Sequence, residues 1–172
     1  MKEIEVKVIE IDQQEVEKKL SSLGAKKIGE YQVESIIFDD SENNLNKKLN
    51  LLRLRKKGKI YLTFKEKAEK GFVKIAEETE VEVSDFEKMK LILEKIGFIS
   101  SKTQPKKRIT YKLKNSLVEI DDYFVLPVFL EVESPTEEEL KEILDLFEFE
   151  KEKIKDWNGF ELFKYYGKEL RG

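Results

Sequence analysis

Residues 2–11, KEIEVKVIEI, alternate strictly. Glu3, Glu5 and Lys7 fall on one side and Ile4, Val6 and Val8 on the other, which is the period of a strand. Asp12 follows as an N-cap with Glu15 three residues on, Val16, Leu20 and Leu23 recur at helical spacing, and Gly24 stops the helix. The pattern returns later: an alternating strand over 77–83, Ser84 as cap with Glu87, an apolar stripe of Phe86, Met89, Ile92, Leu93 and Ile96, and Gly97 as the stop. Further strands are predicted over 31–38, 49–55, 60–65, 106–113, 117–124 and 128–133, with a hairpin turn at Gly58 and loops over 41–48 and 66–74, the latter holding Gly71. Ser134 as cap, Pro135 at the first helical position and Glu137 open a third helix, whose apolar face is Leu140, Ile143, Leu144 and Phe147. The aromatic-rich stretch from Trp157 to Leu170 predicts a tail docked on the body, with Trp157, Tyr165 and Tyr166 in its packing.

Eight strands with three helices make an α+β chain, and eight antiparallel strands suffice to close a barrel. The 172 residues are expected to form one domain, 1–172, of two similar halves at about 1–75 and 76–172. Sorted by face, the strands carry Glu3, Glu5, Lys7, Arg53, Arg55 and Lys65 on one side, continuing through Glu78, Glu80, Glu82, Lys106, Arg108, Lys112, Glu119, Asp121, Glu131 and Glu133. Antiparallel sheets ordinarily turn such a face to water. The helices argue the reverse. Three amphipathic helices need an apolar surface to cover, and an apolar barrel exterior supplies it only if the charges point inward.

Composition narrows the chemistry. Lys plus Arg is 33 and Asp plus Glu 36, a net charge of −3, which speaks against a general nucleic-acid surface. There is no apolar run of about 18 residues, and the first residues hold no apolar stretch, so neither a membrane helix nor a secretory signal is expected and the cytoplasm is the expected compartment. The chain has no Cys and no His, which removes disulfides, thiolate and imidazole metal sites, and Ser-His-Asp triads. Any metal must be bound by oxygen, which selects Mg²⁺, Mn²⁺ or Ca²⁺. Richness in Lys and Glu suits a heat-adapted protein. Nine carboxylates and seven cations in one lumen can pair with one another, and they are also what a metal–polyphosphate complex requires.

Several motifs occur in a specific order: Glu3-x-Glu5-x-Lys7, Arg53-x-Arg55 in LLRLR, Lys65 in LTFK, and the acidic strand EETEVEV with Glu78, Glu80 and Glu82. Lys106-x-Arg108, Asp121, and Glu131-x-Glu133 before a Ser-Pro helix complete the series. In this order the chain resembles the CYTH family, the triphosphate tunnel metalloenzymes, over nearly its whole length, and is most similar to its short class IV adenylyl cyclase-like members. The resemblance implies a closed eight-stranded antiparallel β-barrel, the triphosphate tunnel, with helices packed outside. It implies metal ligation by Glu3, Glu5, Asp121, Glu131 and Glu133, with Glu80 the choice among the three acids of the fifth strand. It implies phosphate binding by Lys7, Arg53, Arg55, Lys65, Lys106 and Arg108, with Glu5, Lys7 and Lys65 also taken as catalytic. The cofactor implied is Mg²⁺ or Mn²⁺, the partner ATP or another triphosphate, with no nucleic acid and no membrane, and a homodimer is compatible with it. The chain departs from the family pattern at Val33-Glu34-Ser35, Leu126-Pro127 and Lys164-Tyr165, which leaves the organic part of the substrate open.

Three functions are therefore expected in turn. The first is an enzyme converting ATP to cyclic AMP and pyrophosphate, or alternatively a triphosphatase. The second is a module that binds nucleotide or polyphosphate without turnover. The third is a structural barrel with its charges in water.

Overall fold

A computed structural model describes residues 2–66 and 73–171, without the side chains of Lys2, Glu3 and Lys74. In chain order the elements are β1 (Lys2–Val8), α1 (Gln13–Ser22), β2 (Lys26–Asp39), α2 (Asn44–Lys47), β3 (Leu51–Lys57), β4 (Lys59–Lys65) and β5 (Lys74–Val83). They continue as α3 (Phe86–Lys95), β6 (Ile99–Lys102), β7 (Lys106–Leu113), β8 (Ser116–Asp122), β9 (Phe129–Ser134), α4 (Glu137–Phe147), β10 (Ile154–Lys155) and α5 (Gly159–Tyr165). Eight strands bond in a ring, β1-β5-β4-β3-β2-β7-β8-β9, and β9 returns to β1. Every pairing is antiparallel. β6 adds to the end of β2, and β10 to the end of β1.

Partners opposite one another in an antiparallel ladder face the same way. The inner face holds the pairs Lys7–Glu131, Arg108–Asp121, Thr63–Glu80 and Lys65–Glu78. The charges point inward, as covering the helices requires. The apolar positions point outward and are roofed by helices. Ile4, Val6, Val8, Val118, Ile120, Leu130 and Val132 pack with Val16 and Leu20 of α1 and Leu140, Ile143 and Leu144 of α4. On the other side Ile36, Phe38, Leu52 and Leu54 pack with Leu93, and with Phe86 and Met89, of α3. A third cluster lies at one end of the tunnel. There Ile37 and Phe129 meet Leu162, Phe163 and Leu170 of the C-terminal segment. The docked tail thus walls that end, and its Trp157 and Tyr165 rings pack together with centroids 4.8 Å apart.

Local details depart from the sequence-based expectation. β2 runs from Lys26 rather than 31, because its first half pairs with β7 and its second with β3. The polar 41–48 loop contains the single helical turn α2, whose Leu45 and Asn46 N–H groups donate to the Asp39 carboxylate at 2.9 and 3.0 Å. α3 is capped by Asp85, which accepts from Lys88 N, not by Ser84. α4 is capped by Thr136 rather than Ser134, which ends β9 with its hydroxyl 2.7 Å from that of Ser116. The α3 stripe is only partly buried, since Ile92 is 51% and Ile96 67% exposed. Residues 67–72, which include Gly71 of the expected charged loop, lie outside the described residues.

Candidate active site

β7, β8, β9 and β1 bring a dense ionic cluster together. The Arg108 guanidinium donates through Nε and Nη2 to the two oxygens of Asp121 (2.6 and 2.5 Å), through Nη2 to Glu131 (3.0 Å), and through Nη1 to Glu119. Lys106 Nζ lies 2.6 Å from Asp121 Oδ2. Lys7 Nζ lies 2.7 Å from Glu131 Oε2 and 3.5 Å from Glu5 Oε1. Asp121 is fully buried, and Glu5, Lys7, Arg108 and Glu119 are nearly so. Ions this deep persist only when paired.

The opposite wall, β3 to β5, is organised differently. Lys65 Nζ is 2.7 Å from Glu78 Oε2, and Arg55 Nη2 is 3.1 Å from Glu80 Oε2, which also accepts from Thr63 Oγ1 at 2.7 Å. Arg53 has no carboxylate partner among the described residues, and the Nε atoms of both Arg53 and Arg55 are buried without a hydrogen bond.

The electrostatics divide the cations. Burial works to lower the Lys7 pKa, but Glu131 and Glu5 override it and hold the amine charged. Arg108 is likewise raised against burial by Asp121, Glu119 and Glu131. Lys106 goes the other way, brought down to about 8 by burial and by Arg108. Arg55 is lowered to about 10, first by Arg53 and then by burial. Glu131 stays well below the carboxylate range because Lys7, Arg108 and Lys106 outweigh its burial.

The site residues expected from sequence are placed as follows. Glu5, Lys7, Lys106, Arg108, Asp121 and Glu131 form the first cluster; Arg53, Arg55, Lys65 and Glu80 form the second. Glu133 faces the same lumen from β9. Glu3 lies in β1 with its side chain outside the described residues. Motif order alone misses three participants: Glu119, Lys57 and Thr63. Lys57 Nζ lies 2.6 Å from Glu119 Oε1, a contact across 62 positions of sequence. Only the inward parity of Glu119 signals it. Lys112 and Glu82, sorted onto the same face, sit exposed beyond the lumen.

The sequence profile of the CYTH domain matches residues 1–157. The chain belongs to the CYTH family. A Methanocaldococcus jannaschii protein named "Putative adenylate cyclase MJ0240" is 32% identical over 164 residues, covering 90% of this chain and 94% of that one. Among solved structures, the PH1012 protein of Pyrococcus horikoshii superposes with a TM-score of 0.76 at 29% identity, covering 93% of this chain and 98% of that one. The Hippeastrum adenylyl cyclase homologue HpAC1, described as having a dominant triphosphatase activity, shares the fold with a TM-score of 0.69 at 19% identity, covering 98% and 97%.

Membership of the CYTH family implies a divalent metal, and the question is whether the donors present fit one. Among the described residues no three acids already converge as a ligand set, because cations stand between them. Asp121 and Glu131, however, both accept from one Arg108 nitrogen, so their carboxylates are adjacent. One or two carboxylates completed by phosphate oxygens and water is how Mg²⁺ is commonly bound. The all-oxygen set fits a hard divalent cation supplied with its phosphate ligand. No helix among the described residues is long and apolar enough to cross a membrane.

Proposed function

We propose that this CYTH tunnel is a divalent-metal-dependent enzyme that converts ATP to cyclic AMP and pyrophosphate. One observation carries the triphosphate part of that reading. Lys7, Lys57, Lys65, Lys106 and Arg108 each sit on a carboxylate and Arg55 reaches Glu80 through Nη2, whereas Arg53 has no carboxylate partner among the described residues and the Nε donors of both arginines are buried without a hydrogen bond. Two repelling guanidiniums in one lumen are complementary to a polyanion, which Arg recognises through its planar fork.

Binding then exchanges partners. Phosphate oxygens take over the cations, and the carboxylates they release become available. Asp121 and Glu131, with Glu5 and Glu133, would hold Mg²⁺ or Mn²⁺, and Glu3 and Glu80 are the further carboxylates that the family pattern nominates. When bound, the metal neutralises phosphate charge and polarises the phosphorus under attack. The chain's own contribution is positioning and electrostatics, which carry most of the catalysis in phosphoryl transfer. Arg53, Arg55 and Lys65 hold the leaving pyrophosphate. Lys7, locked in its charged form, stabilises charge at the phosphorus attacked by the ribose 3′-oxygen. The 3′-hydroxyl gives its proton to one of the released carboxylates, and the bond from the α-phosphorus to the pyrophosphate oxygen breaks as the new P–O bond forms. The cyclase reading draws on the name of the Methanocaldococcus jannaschii relative; the description of HpAC1 makes hydrolysis of the terminal phosphate the alternative.

The test is product analysis of ATP and of inorganic triphosphate incubated with Mg²⁺ or Mn²⁺. Cyclic AMP with pyrophosphate is the expected outcome. Phosphate alone would replace the cyclase with a triphosphatase, and absence of any product would reduce the protein to a binding module.

A further inference from the structure

We infer that the tunnel's smaller chamber, walled by the C-terminal segment, is the nucleoside subsite, with Phe160 and Arg171 as the side chains that grip the base. The inference rests on the triphosphate reading and adds to it the direction in which the substrate lies.

Two chambers open from a shared girdle of Arg53, Arg55, Lys65, Arg108 and Glu131. The larger, about 700 Å³, continues past Lys57, Glu78, Glu80, Glu119 and Glu133, so its lining is chiefly charged. The smaller, about 260 Å³, is on the scale of a single nucleoside, and its far wall is Ile37, Leu51, Tyr123, Phe129, Phe160 and Leu162. A base has two apolar faces and a polar rim, so it belongs against aromatic side chains with few polar groups. Placed among the ions of the larger chamber, it would strip them of water without replacing their hydrogen bonds.

The order of charges agrees. Lys7 and Lys106 line the smaller chamber but not the larger one. The phosphorus joined to the nucleoside must lie next to it, which puts the α-phosphate at these two amines and the β- and γ-phosphates along Arg53 and Arg55.

The outer wall is built to hold a planar group. The Arg171 guanidinium stands over the Phe160 ring, 5.2 Å from its centroid, and its Nε is buried without a hydrogen-bond partner among the described residues. The segment is strapped to the barrel: Gln104 N donates to Leu170 O at 2.8 Å, and Thr103 bridges to Arg171. Phe160 thus offers a face and Arg171 a spare donor on a wall fixed in place.

The experiment measures binding of the α,β-methylene analogue of ATP and of inorganic triphosphate, each with Mg²⁺, to the full chain and to Phe160→Ala, Arg171→Met and Tyr31→Ala. Phe160→Ala is expected to weaken the ATP analogue at least tenfold, the loss typical of a stacked base, and inorganic triphosphate less than twofold. Arg171→Met should show the same selectivity. Tyr31→Ala, altered in the larger chamber, should not discriminate between the two ligands. Equal losses for both ligands in Phe160→Ala, or selective loss of the ATP analogue in Tyr31→Ala, overturns the inference. If Phe160→Ala does not fold, Phe160→Leu keeps the apolar volume and removes the ring, and the same outcomes apply. A wild-type chain that binds inorganic triphosphate but gains nothing from the nucleoside refutes the subsite alone, whereas one that binds neither refutes the triphosphate reading.

Discussion

Arg53 and Arg55 alternate on β3 and share its inner face, and the charge of Arg53 is the largest influence bringing Arg55 down to about 10. Neither Nε has a partner among the described residues. Such a pair holds a repulsion that an anion relieves. Arg53→Met should therefore leave the unliganded protein at least as stable as wild type, although most substitutions of half-buried side chains destabilise by about 1 kcal/mol. The same variant should lose most of the thermal shift produced by inorganic triphosphate. Paired melting curves with and without the anion check both halves.

Lys7 and Glu131 meet across the β1–β9 pairing that closes the ring. Glu131→Gln keeps the shape and one acceptor while removing the charge. It should cut metal-dependent turnover by at least about 100-fold, the scale for loss of a preorganised electrostatic group, while circular dichroism stays native. Glu5→Gln is expected to behave similarly. Full turnover by either variant at saturating metal would contradict their assignment around the cation.

Glu119 supplies the pH prediction. Burial favours its neutral form, but Arg108 and Lys57 prevail and hold it at about 2 against an ordinary 4.5. A carboxylate depressed in the folded state stabilises above its unfolded pKa, and that stability is lost as pH falls through the folded value. Its contribution, on the order of 3 kcal/mol, should be complete above about pH 5 and disappear towards pH 2. Glu119→Gln should lower stability at pH 7 and flatten the dependence in that window, read by urea unfolding at several pH values.

Tyr31 lies across Gly29 and Gly58. A Cβ built on Gly29 would stand 2.3 Å from Tyr31 Oη, and one on Gly58 3.2 Å from its ring. Gly29→Ala should therefore cost roughly 1–3 kcal/mol when Tyr31 is present and much less in a Tyr31→Ala background. A double-mutant cycle on unfolding free energy reads that coupling directly.

Much of this architecture is legible along the chain because it is local. The alternation of β1, the Asp12 cap accepting from Glu15, and the Gly24 and Gly97 stops all depend on neighbours within four residues. Even the inward turn of the charges follows from asking what three amphipathic helices could cover. What stays hidden depends on contacts distant in sequence. Glu119 becomes a strut only because Lys57, 62 positions away, reaches it, alongside Arg108 on the neighbouring strand. The first half of β2 has weak alternation of its own and is a strand because β7 pairs with it. Ser84 and Ser134 are credible caps in isolation, but the chain enters each helix later, at Asp85 and Thr136. Arg108 reads as a phosphate ligand by motif, yet in this state three carboxylates occupy its donors.

An exchange of the lumen's internal ion pairs for a triphosphate and a divalent cation underlies every step proposed for this protein. Calorimetric titration of inorganic triphosphate, with and without Mg²⁺ or Mn²⁺, tests it most directly. Saturable one-to-one binding is expected, strengthened by the metal and weakened at least tenfold by Arg53→Met. Absence of binding under both conditions, or binding that Arg53→Met leaves unchanged, would contradict the exchange.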